Sequence, residues 1–257
     1  LSIPKLVLSA PPQADEKLLR EAAKMLVTAS NPLIVADRCA RSQEGVDALV
    51  RLAETLQCPV ASTGNRMNFP SAHYLDVSEN RGALVREADV ILMLECADPW
   101  GILHNLGDPS KDVRRLAKPD VKVIHITLAD LIMKSNYQDF QRFQPADLPI
   151  SGDAQTSLAP LTEAVKRELS TARAAELAAK ADGFRKRSRN TKERLKADAA
   201  IAWDTSPVST ARLSAEVWNV IKNEKWCLAV SDRIAWPTRL WPTSQFHHML
   251  GGAGAQG

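Results

Sequence analysis

Two neighbouring features near the end of the 257-residue sequence could take part in chemistry. The turn Gly251-Gly252-Ala253-Gly254 is rich in glycine, which lets a backbone approach a ligand that a side chain would hold away. His247 and His248 precede this turn, and because histidine titrates near neutral pH, their rings could act as proton donors. The alternatives are an ordinary strand-to-helix turn and a pair of surface or packing histidines.

Charged residues also follow segments that read as strands. Asp37-Arg38, Asn65-Arg66 and Asp98 are placed where ligand contacts arise at the carboxyl ends of parallel strands. Asp232 and Arg233 have the same placement in a later segment. Each of these groups could contact a nucleotide or a cofactor. Each could instead cap a helix, form a surface ion pair or simply face solvent.

The elements that would position these groups alternate along the chain. Strands are predicted at 33–36, 59–62, 89–94 and 121–126, and helices at 14–29, 43–56, 82–88 and 154–169. Ser42 is predicted to cap the second helix. Short apolar strands that alternate with amphipathic helices indicate an α/β fold, a Rossmann-like parallel sheet flanked by helices.

The last third of the chain has a different pattern. A polar, alanine-rich stretch from about 171 to 203 predicts a helical connector, and its basic segment 185–194 is expected to form a solvent-facing helix surface. Ser209 or Thr210 can cap a following helix that runs through Ile221. Residues 226–230 then predict a strand, the start of the first βα unit of a second α/β domain.

Composition excludes several classes of protein. The net charge of +3 does not by itself argue for a nucleic-acid partner. The cysteines (Cys39, Cys58, Cys96 and Cys227) form no CxxC pair, and His73, His104 and His125 lack metal-ligand spacing, so buried structural roles are expected rather than a zinc site or a disulfide framework. No apolar run is long enough to span a membrane and no signal peptide opens the chain, which favours a cytoplasmic protein without a membrane partner.

Segments in a consistent order resemble the thiamine-diphosphate decarboxylase and acetolactate synthase superfamily. The resemblance to its central domain is carried by 31–36, 58–63, the Phe69-Pro70-Ser71-Ala72-His73 turn, 121–127 and the Gly-Asp-Ala turn within 148–154. Residues 207–232 and 247–257 are similar to the start of its diphosphate-binding domain, where a strand leads to a glycine-rich turn. Together these segments cover nearly the whole chain.

The resemblance implies that the intact protein is a thiamine-diphosphate-dependent lyase or transferase. It would decarboxylate or ligate 2-oxo acids with thiamine diphosphate and Mg²⁺, as a homodimer or homotetramer. The Gly251–Gly254 turn would place backbone carbonyls against the aminopyrimidine of the cofactor, and Asp232 would be a further cofactor contact. Ala253 departs from the family, in which a bulky aliphatic residue supports the bent cofactor.

Two groups that the family uses are not predicted in this chain. The sequence has no Gly-Asp-Gly motif for Mg²⁺, so no metal ligand is expected here. Asp37-Arg38 stands where flavin-binding relatives carry several glycines, which let a pyrophosphate approach a helix N-terminus. FAD binding is therefore possible but disfavoured.

The expected domain organisation follows from the same resemblance. Residues 1–13 would be a linker from a missing N-terminal domain, 14–170 the central domain, 171–206 the helical connector, and 207–257 a truncated start of the thiamine-diphosphate-binding domain. The chain alone would then be inactive. The alternative hypothesis is a stand-alone Rossmann-like module that binds a nucleotide or a partner without catalysis.

Overall fold

The computed structural model describes residues 9–63, 66–106, 113–131, 142–229 and 235–250. Its strands are β1 (Pro32–Ala36), β2 (Val60–Ser62), β3 (Val90–Leu94), β4 (His104–Leu106), β5 (Val113–Arg115), β6 (Lys122–Thr127) and β7 (Leu148–Ser151). Its helices are α1 (Glu16–Thr28), α2 (Gln43–Leu56), α3 (Arg81–Glu87), α4 (Pro99–Leu103), α5 (Ala154–Glu168), α6 (Thr171–Ala200), α7 (Thr210–Ile221) and α8 (Ala235–Leu240). Short 3₁₀ turns lie at Ser78–Asn80, Leu128–Leu131 and Phe246–His248.

Five parallel strands form the main sheet, in the order β2-β1-β3-β6-β7. This is a doubly wound order, in which the connections leave β1 toward both edges of the sheet. β4 and β5 pair separately as a small antiparallel ribbon. The predicted α/β fold with a parallel sheet flanked by helices is confirmed.

Both faces of the sheet are buried, and alternate residues of each strand face opposite sides. Ile34, Leu92 and Ile124 pack in the cluster that contains the apolar faces of α1, α2 and α5. Leu33, Ile91 and Val123 pack in the second cluster, together with residues from α3 and α4. The continuous apolar strands of the sequence are therefore explained by helices on both sides.

Polar side chains begin the helices, as the sequence pattern indicates. Ser42 Oγ accepts from Gly45 N at 3.4 Å at the start of α2, and that helix has the predicted bounds. Ser209, one of the two predicted caps, accepts from Arg212 N at 3.2 Å at the start of α7. Such caps satisfy backbone N–H groups that the first helical turn leaves without partners.

Glycine is required where α5 begins close to the chain that precedes α1. A Cβ at Gly152 would lie 2.7 Å from the Ala14 Cα. The neighbouring Asp153 N donates to Pro12 O at 2.8 Å, and Ala14 N donates to Ser157 Oγ at 3.0 Å. The Gly-Asp-Ala turn therefore fastens residues 12–14 to the end of the sheet.

The structure differs from the sequence prediction in three segments. Residues 148–151, expected to be part of a closing turn, form β7, because Leu148 and Ile150 are buried alternately and β6 offers a free edge. Residues 226–229 form no strand. Their one bridge to another described residue joins Leu228 to Met249. A short helix, α8, contains Trp236, in a segment for which the sequence predicts no element.

The long helix α6 is attached to the central sheet mainly by polar contacts. Its 30 residues span about 45 Å. Few of them are buried: Leu177, Ala181, Leu195 and Ala199. Arg173 Nε donates to Val27 O at 2.8 Å, and Lys192 Nζ donates to Ala72 O at 2.8 Å. The basic segment 185–194 is helical as expected, but part of it faces the central sheet rather than solvent. No helix among the described ranges is both long and apolar enough to cross a membrane.

Buried titratable groups lie near the sheet. Cys39, Cys58 and Cys96 are buried as predicted, whereas Cys227 is exposed. His125 on β6 is 4% exposed, and its Nε2 has no hydrogen-bond partner. Burial lowers the pKa of His125 from 6.5 to about 4, although a hydrogen bond to the Cys96 backbone acts in the opposite direction.

We predict that His125 makes the fold sensitive to mild acid. The unfolded chain binds a proton at this ring below pH 6.5, whereas the folded chain does so only near pH 4, so the free energy of unfolding falls as the pH decreases between these values. The loss from this one group at pH 5 is about 2 kcal/mol. Urea unfolding at pH 7 and pH 5 should show a smaller decrease for His125→Leu than for the unchanged chain.

The control for this prediction is Ile124→Val, which removes one buried methylene beside His125 and no titratable group. It should leave the decrease between pH 7 and pH 5 unchanged. An equal acid sensitivity in the His125→Leu variant and the unchanged chain would contradict the prediction.

Candidate functional site

The crevice between β1 and β3 is where a doubly wound sheet of this order binds ligands, because the chain connections diverge there. In this protein, hydrogen bonds within the chain connect the two strand ends across the crevice. Asp37 follows β1 and is 8% exposed, and its Oδ2 accepts from Ala97 N, beyond β3, at 3.1 Å. Asp37 N donates to Leu94 O at 3.1 Å. The predicted ligand residue Asp37 therefore joins two strand ends.

Glu95 connects the end of β3 to two further elements. Its Oε2 accepts from Thr127 Oγ1 at 2.9 Å and from Leu128 N at 3.1 Å, while its Oε1 accepts from Ala154 N at 3.1 Å. The residue has a φ of 49°, a left-handed conformation that is unfavourable for a side chain with a Cβ. The three hydrogen bonds from β6, the turn after it and α5 stabilise this conformation.

Arg41 and Asp153 form an ion pair between the starts of α2 and α5, with Arg41 Nη1 donating to Asp153 Oδ2. The Asp153 side chain is 0% exposed and Arg41 is 39% exposed. Burial acts to raise the pKa of Asp153, but the hydrogen bonds from Arg41 and Thr156 N outweigh it and hold the pKa below its ordinary value. The carboxylate is therefore kept charged and caps α5.

The first turn of α2, where a pyrophosphate would bind, is covered by a side chain from α5. Arg41 N donates to Gln155 Oε1 at 2.6 Å, and Gln155 Nε2 donates to Ser42 Oγ at 3.2 Å. A Cβ at Gly45 would meet the same Gln155 amide. Because the Gln155 side chain covers this turn and Ser42 already caps Gly45 N, the residues present do not fit the pyrophosphate of FAD at this helix N-terminus.

The other predicted ligand residues at this edge have separate roles. Asp98 Oδ1 accepts from Gly101 N at 2.9 Å and caps α4. Arg38 is exposed, and Asn65 lies outside the described residues. Arg66 has a buried Nε without a hydrogen-bond partner. Asp37 and Asp98 thus accept hydrogen bonds from backbone groups of the chain, whereas the Arg66 Nε has no hydrogen-bond partner.

Aromatic rings form the interior of the region after α6. Trp226 packs edge-on against Trp218 and Trp241, with ring centroids 5.6 Å apart in each case. Trp241 Nε1 donates to Ser214 O at 2.9 Å. Thr243 N donates to Ser71 Oγ at 2.9 Å, which joins this region to the central sheet. Trp241 therefore packs at the junction between this region and the central sheet.

The predicted proton donors His247 and His248 lie at the edge of this aromatic cluster. The His248 ring stacks on Trp226 at a centroid distance of 3.9 Å, and its Nδ1 accepts from Ser244 N at 3.2 Å. Burial, followed by the neighbouring His247, lowers the pKa of His248. His247 is exposed. His248 is thus held neutral as a packing group near pH 7, and a proton-donor role for either ring stays a prediction.

The residues expected to contact the cofactor, Asp232 and Gly251-Gly252-Ala253-Gly254, lie outside the described residues. In the part of the chain that the structure describes, no group of three or more His, Cys, Asp or Glu side chains could hold a metal ion.

Comparison with known proteins identifies the family. The model described as "Thiamine pyrophosphate enzyme, central domain" matches residues 19–161, which is more than half of the chain. The chain belongs to this family. The match runs from Leu19 within α1 to Leu161 within α5, and so contains the whole parallel sheet.

Individual relatives cover less of their own length. The chain is 27% identical over 155 residues to the probable acetolactate synthase large subunit of Methanocaldococcus jannaschii, a match to 57% of this chain and 24% of that protein. The chain thus spans about a quarter of the curated relative that it matches.

Two solved structures are also similar to this chain. One, from Mycobacterium smegmatis, is assigned as a thiamin diphosphate-dependent enzyme (TM-score 0.47, 20% identity, 62% of this chain and 30% of that chain). The other is benzoylformate decarboxylase from Polynucleobacter necessarius (TM-score 0.45, 17% identity, 64% and 30%).

The sequence pattern did not identify Glu95, Arg41 and Asp153 as residues of the site. The signal for Asp153 was its place one residue before a helix, and the signal for Glu95 was a carboxylate that follows five apolar residues. Arg41 gave no local signal, because its partner is 112 residues away. All three hold the carboxyl edge of the sheet together.

We predict that Asp153→Asn lowers the free energy of unfolding at pH 7 by about 2 kcal/mol, because it removes the charge that pairs with Arg41 but keeps a capping oxygen. The partial exposure of Arg41 holds the loss at the low end for a buried pair. Since the pKa of Asp153 is lowered, this stabilisation is present above pH ~4 and is lost as the pH falls through the folded-state value. Urea unfolding measures both effects.

The matched control is Glu163→Gln, which removes an exposed pair with Lys166 on the same helix. Its expected cost is about 0.3 kcal/mol. A loss for Asp153→Asn no larger than the loss for Glu163→Gln would contradict the structural role of the buried pair.

A second pair of substitutions separates the two histidines. We predict that His248→Ala lowers the free energy of unfolding by about 1 kcal/mol, because the stack on Trp226 is lost. His247→Ala should change it by less than about 0.5 kcal/mol. Urea unfolding followed by tryptophan fluorescence measures both, and equal effects would show that the stack does not stabilise the fold.

Proposed function

We propose that this chain is the central domain, with the beginning of the diphosphate-binding domain, of a thiamine-diphosphate enzyme that acts on 2-oxo acids. The observation that carries the proposal is the family match over residues 19–161. The relative named as an acetolactate synthase large subunit supports an acetolactate synthase-like reaction, by decarboxylation or by carbon–carbon ligation. Thiamine diphosphate would supply the electron sink for this chemistry.

The proposed domain boundaries follow the predicted organisation. Residues 14–170 would form the central domain, 171–206 the connector, and 207–257 the start of the next domain. Support comes from the sheet, which ends before α5, and from α6, which makes few apolar contacts with it. Residues 1–13 would link to a preceding domain.

The cofactor contacts are assigned to Asp232 and Gly251-Gly252-Ala253-Gly254 by the resemblance alone. The resemblance assigns the Mg²⁺ ligands to a Gly-Asp-Gly motif, which this sequence lacks. The 257-residue chain by itself would then be inactive. The intact enzyme would be a homodimer or homotetramer in the cytoplasm.

The competing hypothesis is a Rossmann-like module that binds a nucleotide or a partner without catalysis. The parallel sheet supports it only in general terms, because one fold serves many functions. The occupied first turn of α2 argues against a nucleotide pyrophosphate at that point.

The proposal predicts CO₂ release from pyruvate by the gene product expressed from its natural reading frame, with thiamine diphosphate and Mg²⁺ present. The 257-residue chain should release none under the same conditions. Product analysis separates the two reactions, since ligation yields acetolactate and simple decarboxylation yields an aldehyde. A gene product that releases no CO₂ from any 2-oxo acid would favour the non-catalytic module.

A glycine variant tests the assignment of the turn. Gly252→Val in the same gene product should lower kcat about 100-fold, because a side chain would displace the cofactor. Gly183→Val on α6 is the matched control, since a Cβ there meets nothing within 4 Å. It should leave kcat unchanged, and similar losses in both variants would remove the support for the turn.

A further inference from the structure

A cavity of about 280 Å³ lies beyond the carboxyl end of β2, away from the groups that bridge β1 and β3. One wall comes from residues 62–81 of the central sheet region, and the other from residues 238–249 after α6. Hydroxyl groups of Ser62, Thr63 and Ser78 and the guanidinium groups of Arg66 and Arg81 belong to its lining.

Two polar atoms of this lining are buried without a partner. They are Ser62 Oγ and Arg66 Nε, and among the described residues only His125 Nε2 is in the same condition. A buried donor without an acceptor costs about 1–3 kcal/mol, so native proteins rarely leave one unpaired. Arginine can only donate. A ligand in the cavity that pairs with the guanidinium groups of Arg66 and Arg81 must therefore bring acceptors.

The charges around the cavity favour an anion. Glu79 lines it but pairs with Arg239 at 3.2 Å. Asp76 also lines it and accepts from Ser78 Oγ at 2.6 Å, and burial raises its pKa to about 7, so it is partly neutral near that pH. Arg66 and Arg81 have no carboxylate partner within the described part of the chain. Among the described residues, these two guanidinium groups are therefore not paired with a counter-charge.

We infer that this cavity binds the phosphate group of a small ligand. A phosphate has more acceptor oxygens than a carboxylate, which suits two guanidinium groups together with several hydroxyl groups. The inference does not depend on the proposed function. The walls of the cavity belong to two parts of the chain, so a bound phosphate would contact both.

The test is isothermal titration calorimetry of the 257-residue chain at low ionic strength and pH 7. The probes are inorganic phosphate, sulfate and malonate. Phosphate and sulfate should bind and malonate should bind at least about tenfold more weakly, because it offers planar carboxylates instead of a tetrahedral group. Equal binding of malonate would overturn the assignment of phosphate, and so would the absence of any heat with phosphate.

Arginine variants locate the binding site. Arg66→Gln and Arg81→Gln should each weaken phosphate binding about tenfold, because each removes a charged donor. Arg86→Gln makes the same charge change at an exposed position on α3, outside the cavity lining, and should alter binding less than about twofold. An equal effect of all three variants would show that only net charge matters and would overturn the proposal.

Two further readouts separate binding from folding. Circular dichroism and thermal melting identify any variant that fails to fold. If one glutamine variant does not fold, the glutamine variant of the other cavity arginine is measured in its place. Arg66→Lys, which keeps the charge, is measured with it. Sulfate keeps its charge between pH 6 and pH 8, so tighter sulfate binding at pH 6 would report the protonation of Asp76. Sulfate binding that weakens from pH 8 to pH 6 would contradict the proposal that the residues lining this cavity bind an anion.

Discussion

A parallel sheet has no face that can meet water, because the helices of its crossover connections cover both sides. The five strands of this protein obey that constraint, and their residues alternate between two apolar clusters. Apart from His125 within β6, the polar side chains of the five described strands of the sheet lie at its ends. At the carboxyl end, Asp37, Glu95 and Asp153 accept backbone and side-chain hydrogen bonds from neighbouring elements. The burial of the two faces thus decides where charged side chains can gather.

Folds of this kind bind ligands at the same edge of the sheet. In this protein, internal hydrogen bonds at that edge compete with ligand binding for the same polar groups. A carboxylate that accepts three hydrogen bonds, as Glu95 does, has little capacity left for a ligand. Gln155 lies over the first turn of α2 and takes the place that a pyrophosphate would need. The hydrogen bonds that stabilise the ends of β1 and β3 therefore occupy the crevice in which such folds usually bind a nucleotide. Unpaired donors remain farther along the edge, beyond β2.

The sequence predicted the fold class and most element positions, because apolar spacing and caps are local signals. Ser42 and the bounds of α2 are examples. It did not predict β7, whose alternation is only four residues long, or the failure of residues 226–229 to pair as a strand. For the site, sequence position alone pointed to Asp37 and Asp98 as ligand contacts, and it could not show that both already have backbone partners. The cavity beyond β2 could not be predicted at all, because its walls come from segments about 160 residues apart.

The attachment of the last part of the chain explains how that cavity arises. Trp241 and Thr243 bond to Ser71, and Met67 N donates to Met249 O at 3.0 Å, so residues 241–249 close over the end of β2. These contacts are hydrogen bonds of the backbone and of the Ser71 hydroxyl, and the segment also packs Phe246 and Met249 against the buried Met67. Residues of the sheet edge that carry charged and hydroxyl groups line a cavity that is partly open to solvent. A site of this kind belongs to neither part alone, and any ligand in it would favour the arrangement in which the two are joined.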